Sequence, residues 1–260
     1  MEIKNSTQGL VLTNIDEKGV GTITFEHPQS NSLPSSLLNQ LAETITNLGN
    51  NPRVRVIILK SGGDRTFCAG ASFDELISIE NFEQGKKFFT GFAKVINACR
   101  KCSKLIIGRV QGKAVGGGVG VASAVDFCFA TQHASIKLSE LAVGIGPFVV
   151  GPAVERKIGI SAMSHLAIDA TNWQSAFWAK EKGLYNKVFD STELMDEAIE
   201  KLAINLSNSN PSAMMELKNI FWKDTADWDK LLDERAAISG ELVLSEFTRK
   251  AIQNLKNRTR

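Results

Sequence analysis

The chain has 260 residues, of which 43% are hydrophobic and 22% charged, and its formal net charge is +2. This length allows one sizeable α/β domain, with or without a smaller helical part. The charge excludes no class of partner by itself, and its mild basic excess is compatible with a phosphate-bearing ligand. The stretch from Met1 to Gly9 is polar, and no apolar run approaches the ~20 residues that a membrane span needs. We therefore expect a cytoplasmic protein with no membrane or nucleic-acid partner.

The four cysteines are Cys68, Cys99, Cys102 and Cys128. With no export signal, we expect them to be reduced thiols. Cys99 and Cys102 have C-x-x-C spacing, but no second pair follows, and none of the three histidines stands at metal-ligand spacing from them. We interpret the pair as two cysteines one turn apart on a helix and predict that the chain binds no metal.

Strands and helices are predicted to alternate in the first half of the chain. Period-2 runs and short continuous apolar runs predict the strands, and the second kind is typical of strands buried on both faces. Pro34 is predicted to begin a helix, and a long helical segment carries Phe82, Phe88, Phe89 and Phe92, which we expect in the core. The predicted strands are 10–15, 20–25, 54–59, 104–110, 126–131 and 134–138, the predicted helices 34–48, 73–100 and 121–125, and the glycine-rich loops 61–72 and 112–120.

The second half of the chain is predicted to be almost entirely helical. Helices are expected at 152–158, 162–168, 174–182, 193–206, 212–222 and 227–257, with one strand at 185–189. Strands alternating with helices, followed by helices alone, favour a parallel sheet core and a helical C-terminal subdomain. We place the boundary at residue 190, which gives a core of residues 1–190 and a helical subdomain of residues 191–260.

The loop at 112–120 follows a buried strand and precedes a helix, so a nucleotide site must be considered. A dinucleotide fingerprint that starts at Gly116 would end at Val121 instead of glycine, and Lys113 is followed by Ala114 instead of the Ser or Thr of a Walker A loop. Both motifs fail. The loop can still bring backbone N–H groups and the positive end of a helix to an anion or a developing oxyanion. Alternatively, its glycines only permit tight packing.

A second loop, residues 65–76, has the same position between a strand and a helix, and its small residues include Ala69, Gly70 and Ala71. Pro28-x-x-Asn31-Ser-Leu33 precedes it, and Ser139-Glu140-Leu141 with Gly144 and Pro147 follows the glycine loop. With these motifs in this order and spacing, the sequence resembles the crotonase superfamily, also called the enoyl-CoA hydratase/isomerase family.

The resemblance extends over most of the chain and implies a fold, an assembly and a ligand. The implied fold is an α/β spiral of β-β-α turns with a C-terminal helical region for trimerisation. The implied assembly is a homotrimer or a dimer of trimers. The implied ligand is an acyl-CoA thioester, and no separate cofactor is expected because coenzyme A is part of the substrate.

The resemblance also assigns candidate site residues. The backbone N–H groups of Ala71 and Gly117 correspond to the family's two oxyanion donors, which stabilise a thioester enolate. Removal of one such donor typically costs about 3–4 kcal/mol of transition-state stabilisation. The residues expected to bind the substrate are Ser32, Leu33, Ala69, Gly70, Gly116 and Phe148.

Two departures from the family pattern concern the acid/base groups. Hydratases of the family carry two glutamates; the second corresponds to Glu140, whereas Gly120 stands at the position of the first. The segment Phe148-Val-Val150 is bulky where hydratases have glycine and small residues, which would dry the pocket and raise the pKa of Glu140. A single glutamate is sufficient to move a proton between two carbon atoms, as isomerases of the family do. Asp74 and Glu75 are expected to be solvated.

The sequence leaves several functions open. The first is double-bond isomerisation or hydration of an enoyl-CoA, with Glu140 as the acid/base group and the missing first glutamate favouring isomerisation. The second is a non-catalytic acyl-CoA-binding homologue, suggested by Gly120 and Phe148. The third is a nucleotide-dependent dehydrogenase that uses the glycine loop, which the failed fingerprint disfavours.

Overall fold

A computed structural model describes the backbone of residues 9–258 and the side chains of residues 9–254, so most of the polar segment at the start of the chain lies outside it. The strands are β1 (Leu10–Ile15), β2 (Val20–Glu26), β3 (Val56–Ser61), β4 (Thr66–Cys68), β5 (Ile106–Val110), β6 (Lys113–Val115), β7 (Phe127–Thr131), β8 (Ile136–Lys137) and β9 (Lys187–Phe189). The helices are α1 (Ser35–Asn50), α2 (Phe73–Ile77), α3 (Phe82–Lys101), α4 (Gly117–Ala124), α5 (Gly151–Ile168), α6 (Ala176–Glu181), α7 (Thr192–Ser207), α8 (Pro211–Phe221), α9 (Trp228–Leu242) and α10 (Glu246–Arg258).

The strands form two sheets, and from β3 onward the chain visits them alternately. The larger sheet has the order β1-β2-β3-β5-β7-β9, in which only the β1–β2 hairpin is antiparallel. The smaller, parallel sheet has the order β4-β6-β8. The first unit, β1-β2-α1, gives both strands to the larger sheet, whereas each later turn gives one strand to each sheet and then a helix, as in β5-β6-α4 and β7-β8-α5. The predicted α/β spiral of β-β-α turns is confirmed.

Two short strands lie where the sequence predicted loops. Segment 61–72 contains β4, and segment 112–120 contains β6 and the first half of α4. Three-residue strands are too short for a period-2 pattern to reveal them. They are nevertheless the strands that lead into the candidate site, because α2 and α4 follow them.

Two predicted continuous helices are each broken by a capping side chain. Residues 73–100 form α2 and α3, because the side chain of Asn81 accepts a hydrogen bond from the backbone N–H of Gln84 and starts a new helix. Residues 227–257 form α9 and α10, where Ser245 Oγ accepts from Thr248 N. Conversely, the two helices predicted at 152–168 form α5, and the break between them is Gly159, whose φ is 73°.

The C-terminal helices pack on the spiral. Met195 and Ile199 of α7 contact the outer face of the larger sheet. Helix α9 packs along α3, where Gly85 and Gly240 allow the two backbones to touch. The helical C-terminal region is confirmed, and the domain boundary at residue 190 stays a prediction. None of the described helices combines the length and apolar character of a membrane span.

A buried ion pair ties α8 to the larger sheet. Asp126 Oδ2 lies 2.9 Å from Lys218 Nζ, and the two side chains are only 4% and 3% exposed. The same carboxylate accepts hydrogen bonds from the backbone N–H of Ile106 and from Trp222 Nε1, both at 2.8 Å. A buried charge needs such a set of partners, since removal of one leaves the other uncompensated.

We expect Lys218→Ala to lower the free energy of unfolding by about 3 kcal/mol, because it leaves the Asp126 carboxylate buried without its cation. This is the lower end of the range for broken buried pairs, since Lys157 Nζ also lies close, 3.2 Å from the Asp126 carbonyl oxygen. Lys230→Ala, which breaks an exposed pair with Glu234, should change stability by less than about 1 kcal/mol in the same urea titration. Equal effects of the two substitutions would contradict this account.

Candidate active site

The turn at residues 27–33 holds the first loop of the site in place. Asn31, whose φ is 56°, donates from Nδ2 to the carbonyl oxygens of Gly62 and Thr66, each at 2.8 Å. Its Oδ1 accepts from the backbone N–H of His27 at 3.0 Å. Asparagine tolerates this left-handed conformation better than most residues, and its amide can make all three bonds. The Pro-x-x-Asn motif is therefore explained by its hydrogen bonds to the chain on both sides of the loop.

Leu33 fixes the orientation of the backbone at Ala71. Its N–H donates to the Gly70 carbonyl oxygen at 2.8 Å, and its carbonyl oxygen accepts from Ser72 N at 3.3 Å. In this parallel bridge Leu33 bonds to the residues on either side of Ala71, so the N–H of Ala71 points away from Leu33. Within the described chain this N–H has no hydrogen-bond partner.

The second predicted donor lies at the start of α4. Gly116 has φ 51° and ψ −116°, a conformation that requires glycine, and its N–H donates to the Lys137 carbonyl oxygen. Gly117 then begins the helix, and its N–H is without a partner among residues 9–258. The ring of Phe92 lies so close to Gly117 that a Cβ there would be 2.1 Å from it. The two loops touch, because a Cβ on Gly70 would lie 3.0 Å from the Val115 carbonyl oxygen.

Both donors line one cavity of about 230 Å³. Of the predicted substrate-binding residues, Ala69, Gly70, Gly116 and Phe148 line it. Ser32 and Leu33 do not, since both are buried in the turn below the loop, and their contact with a ligand stays a prediction. The rest of the wall is mainly apolar and is formed by Phe73, Leu76, Phe88, Phe89, Phe92, Val115, Val143, Ile145, Gly146, Pro147, Val149 and Val150, with Ser139 and Ser239 as the two hydroxyl groups.

Glu140 carries the only titratable side chain among the described residues that line the cavity. It follows β8, and its carbonyl oxygen accepts from Val143 N and Ile145 N, which fixes the backbone. Its Oε1 lies 2.9 Å from the place that a Cβ on Gly116 would occupy, beside the second donor loop. The residue is partly exposed as a whole, but Oε2 is fully buried and has no hydrogen-bond partner in the described chain.

Burial of this carboxyl group in an apolar wall penalises its charged form. Desolvation raises the pKa of Glu140 to about 7, against a smaller lowering effect of a hydrogen bond from its own backbone. The expected bulky apolar residues are in place, since Phe148, Val149 and Val150 all belong to the cavity wall. A carboxyl group with this pKa can both accept and return a proton near neutral pH.

The phenylalanines of α3 and the two acidic residues of α2 differ in their relation to the cavity. Phe88, Phe89 and Phe92 line the cavity as well as packing in the interior, whereas Phe82 is 40% exposed. Glu75 lies outside the cavity and is not simply solvated: its Oε2 accepts from Ser35 N at 2.7 Å and caps α1. Asp74 is exposed and bonds to the side chain of Gln29.

Ser239 is a wall residue that the sequence did not reveal. It comes from α9, far along the chain, and no local pattern connects it to the loops at 65–76 and 112–120. A signal for this contact existed only in the glycine pair of α3 and α9, which indicates a close approach of two helices.

None of the four cysteines lines the cavity, although Cys68 Sγ accepts a hydrogen bond from the backbone N–H of Gly70. Burial raises the pKa of Cys68 and Cys128 to about 12, so their thiols stay protonated, and it also raises the pKa of Cys99 and Cys102. In the described part of the chain, no group of three or more His, Cys, Asp or Glu side chains is arranged to hold a metal ion.

Known proteins resemble the chain over most of its length. The sequence model of the enoyl-CoA hydratase/isomerase family matches residues 16–254. Carnitinyl-CoA dehydratases of Salmonella paratyphi A and Salmonella enteritidis PT4 are 30% identical to it over 210 residues, which cover 76% of this chain and 75% of theirs. The structure of an enoyl-CoA hydratase from Bacillus halodurans superposes with a TM-score of 0.86 at 20% identity, covering 94% of this chain and 99% of the other. For an enoyl-CoA hydratase from Mycobacterium smegmatis the TM-score is 0.78 at 25% identity, and 96% of each chain is covered.

The raised pKa of Glu140 predicts a pH-dependent gain in stability from Glu140→Gln. Below about pH 4.5 the carboxyl group is protonated in both the folded and the unfolded chain, so the variant and the wild type should be equally stable. Between pH 4.5 and about 7 only the unfolded chain releases the proton, and the wild type therefore loses stability as the pH rises. The Glu140→Gln variant has no proton to release and keeps its stability, so at pH 8 it should be more stable than the wild type by up to about 3 kcal/mol.

Urea unfolding at pH 4.5, 6, 7 and 8 measures this difference. The matched control is Glu43→Gln on α1, which removes the charge of an exposed carboxylate and should show no such rise. A Glu140→Gln variant that is less stable than the wild type at pH 8 would show that the carboxylate has a stabilising partner and refute the desolvation argument.

Proposed function

Because the chain belongs to the enoyl-CoA hydratase/isomerase family, we propose that it moves the carbon–carbon double bond of an enoyl-CoA thioester, with Glu140 as the base and the acid. The observation that carries this proposal is the composition of the cavity. Among the described residues, the backbone N–H groups of Ala71 and Gly117 have no hydrogen-bond partner, and they lie in the same cavity as one buried carboxyl group.

The proposed reaction conserves all atoms of the substrate. The Glu140 carboxylate removes a proton from C2 of a 3-enoyl thioester, and the electron pair moves onto the carbonyl oxygen. The resulting dienolate oxygen accepts hydrogen bonds from Ala71 N and Gly117 N, which are fixed before the reaction and need no reorganisation. Glu140 then returns the proton to C4, the C=O bond re-forms, and the double bond lies between C2 and C3.

Hydration, or its reverse, is the second candidate, and the relatives named carnitinyl-CoA dehydratase favour it. Addition of water places a hydroxyl group on C3 and a proton on C2, so one group must take a proton from water while an acid protonates carbon. Apart from Glu140, the only polar side chains in the described wall are Ser139 and Ser239. A serine hydroxyl group is far too weak an acid to protonate carbon at neutral pH, because an effective catalytic acid has a pKa near the operating pH. Isomerisation, which needs only one acid/base group, is therefore preferred here.

The rest of the functional proposal follows the family. We propose an acyl-CoA substrate whose acyl group is apolar, because Phe88, Phe89, Phe92 and Phe148 line the cavity. The coenzyme A part would lie along the loops before Ala71. A homotrimer or dimer of trimers in the cytoplasm, without a separate cofactor, completes the proposal.

Incubation with 2-enoyl- and 3-enoyl-CoA thioesters in heavy water, followed by mass spectrometry, tests this function. We expect an isomeric product and deuterium uptake without addition of water, and a loss of at least 100-fold in rate for Glu140→Gln, since a positioned acid/base group contributes about 10²–10⁴-fold. Asp74→Asn, beside the same loop but outside the cavity, should keep full activity. Net addition of water would identify a hydratase, and thermal stabilisation by the thioesters without turnover would identify a binding protein.

The pKa of Glu140 sets the expected pH profile. The base form is required, so kcat/KM for deuterium exchange should rise with pH and level off above about pH 7. Below this value the rate should fall about tenfold per pH unit, as for any single essential base. A profile that is flat between pH 5 and 8 would contradict a buried carboxyl group as the base.

A further inference from the structure

Gly120 has no room for a side chain. It lies in α4 and is buried, and a Cβ placed on it would be 2.4 Å from Val150 Cγ1 and 2.7 Å from Val150 Cβ. Distances below 3.0 Å do not occur between such atoms without movement. The next nearest atom is Val150 Cα at 3.6 Å, which is an ordinary contact. The side chain of Val150 therefore occupies the space that a Cβ atom at position 120 would need.

Val150 cannot easily move out of this space. It is β-branched and thus restricted in χ1, it is 4% exposed, and it packs in the main hydrophobic cluster. Its backbone is fixed as well, because Val154 N donates to its carbonyl oxygen at the start of α5. A substitution at position 120 must therefore displace part of the core.

Val150 also separates position 120 from the reacting groups. Val150 lines the cavity that contains Glu140, whereas Gly120 does not. A side chain at position 120 would leave the backbone towards Val150, whose own side chain lies where its Cβ atom would be. The wall at this point is apolar, so it offers no hydrogen bond that would hold a reacting water molecule.

We propose that Val150 is the residue that determines the reaction specificity of this enzyme. It fills the place of a second carboxyl group and of its water, and so restricts the site to proton transfer by Glu140. The proposal rests on the acyl-CoA chemistry proposed above and adds a specificity-determining residue to it. It also explains Gly120 and Val150 together, because the side chain missing at position 120 leaves the space that Val150 fills.

The melting temperatures of single and double variants at positions 120 and 150 test, without any substrate, whether Val150 fills the space at position 120. Gly120→Ala alone should lower Tm, by about 2–10 °C, because the new methyl group overpacks the core. In a Val150→Gly background the same change should raise Tm, since Ala is favoured over Gly inside a helix once there is space. In a Val150→Ala background it should still lower Tm, because the Cβ atom at 2.7 Å remains. A Gly120→Ala variant as stable as the wild type would overturn the proposal.

A pair of double variants with identical composition tests the specificity part. G120E/V150G opens the wall next to the new carboxyl group, whereas G120E/V149G removes a neighbouring valine of the same cavity and keeps Val150. With a 2-enoyl-CoA, we expect G120E/V150G to form 3-hydroxyacyl-CoA at least 10-fold faster than both the wild type and G120E/V149G. Equal hydration by the two double variants would overturn the proposal.

The two proposals fail in different ways. If Val150 does not set the specificity, the wild type still exchanges deuterium through Glu140 and the two double variants behave alike. If the proposed function itself is wrong, the wild type either adds water to the 2-enoyl thioesters or exchanges no deuterium with any thioester of the panel, and the specificity proposal falls with it. If G120E/V150G does not fold, the Tm cycle with alanine still decides whether Val150 fills the position.

Discussion

The candidate site depends on two backbone N–H groups, those of Ala71 and Gly117, which line one cavity and have no hydrogen-bond partner among the described residues. Such groups are costly in a protein interior, and nearly all of them are paired in folded chains. Here the bridge to Leu33 directs the N–H of Ala71 away from the neighbouring segment. The N–H of Gly117 belongs to the first turn of α4, where no earlier helical turn supplies a carbonyl oxygen. The surrounding framework, from the Asn31 side chain to the conformation of Gly116, keeps both groups unpaired and close together.

Burial of the Glu140 carboxyl group also lowers the stability of the folded chain. An apolar wall and an Oε2 atom without a partner disfavour the charged form, and this destabilises the folded chain at neutral pH. The same burial brings the pKa to the value at which a carboxyl group can exchange protons with carbon. The burial that destabilises the chain at Glu140 is thus the same burial that the proposed proton transfer requires. By contrast, the buried Asp126 carboxylate is paired with Lys218, Trp222 and Ile106.

Much of this site could be predicted from the sequence, because its main parts are local. The loops at 65–76 and 112–120 are recognisable from small residues between a strand and a helix, and the spacing to Glu140 follows from the family resemblance. The alternation of strands and helices follows from apolar periodicity. What could not be predicted depends on contacts or on very short elements: β4 and β6, the break of the long helix at Asn81, and the wall contribution of Ser239.

The relation between Gly120 and Val150 shows why the sequence alone was insufficient. In the sequence they are two separate departures from the hydratase pattern, thirty residues apart, and each could be explained as the loss of a function. In space they are complementary, because the volume that a side chain at 120 would need is the volume that Val150 occupies. The side chain of Val150 adds apolar surface to the cavity wall, and apolar surroundings disfavour the charged form of Glu140 and raise its pKa. The space at position 120 is therefore filled by packing, and Glu140 remains the one titratable side chain in the described wall of the cavity.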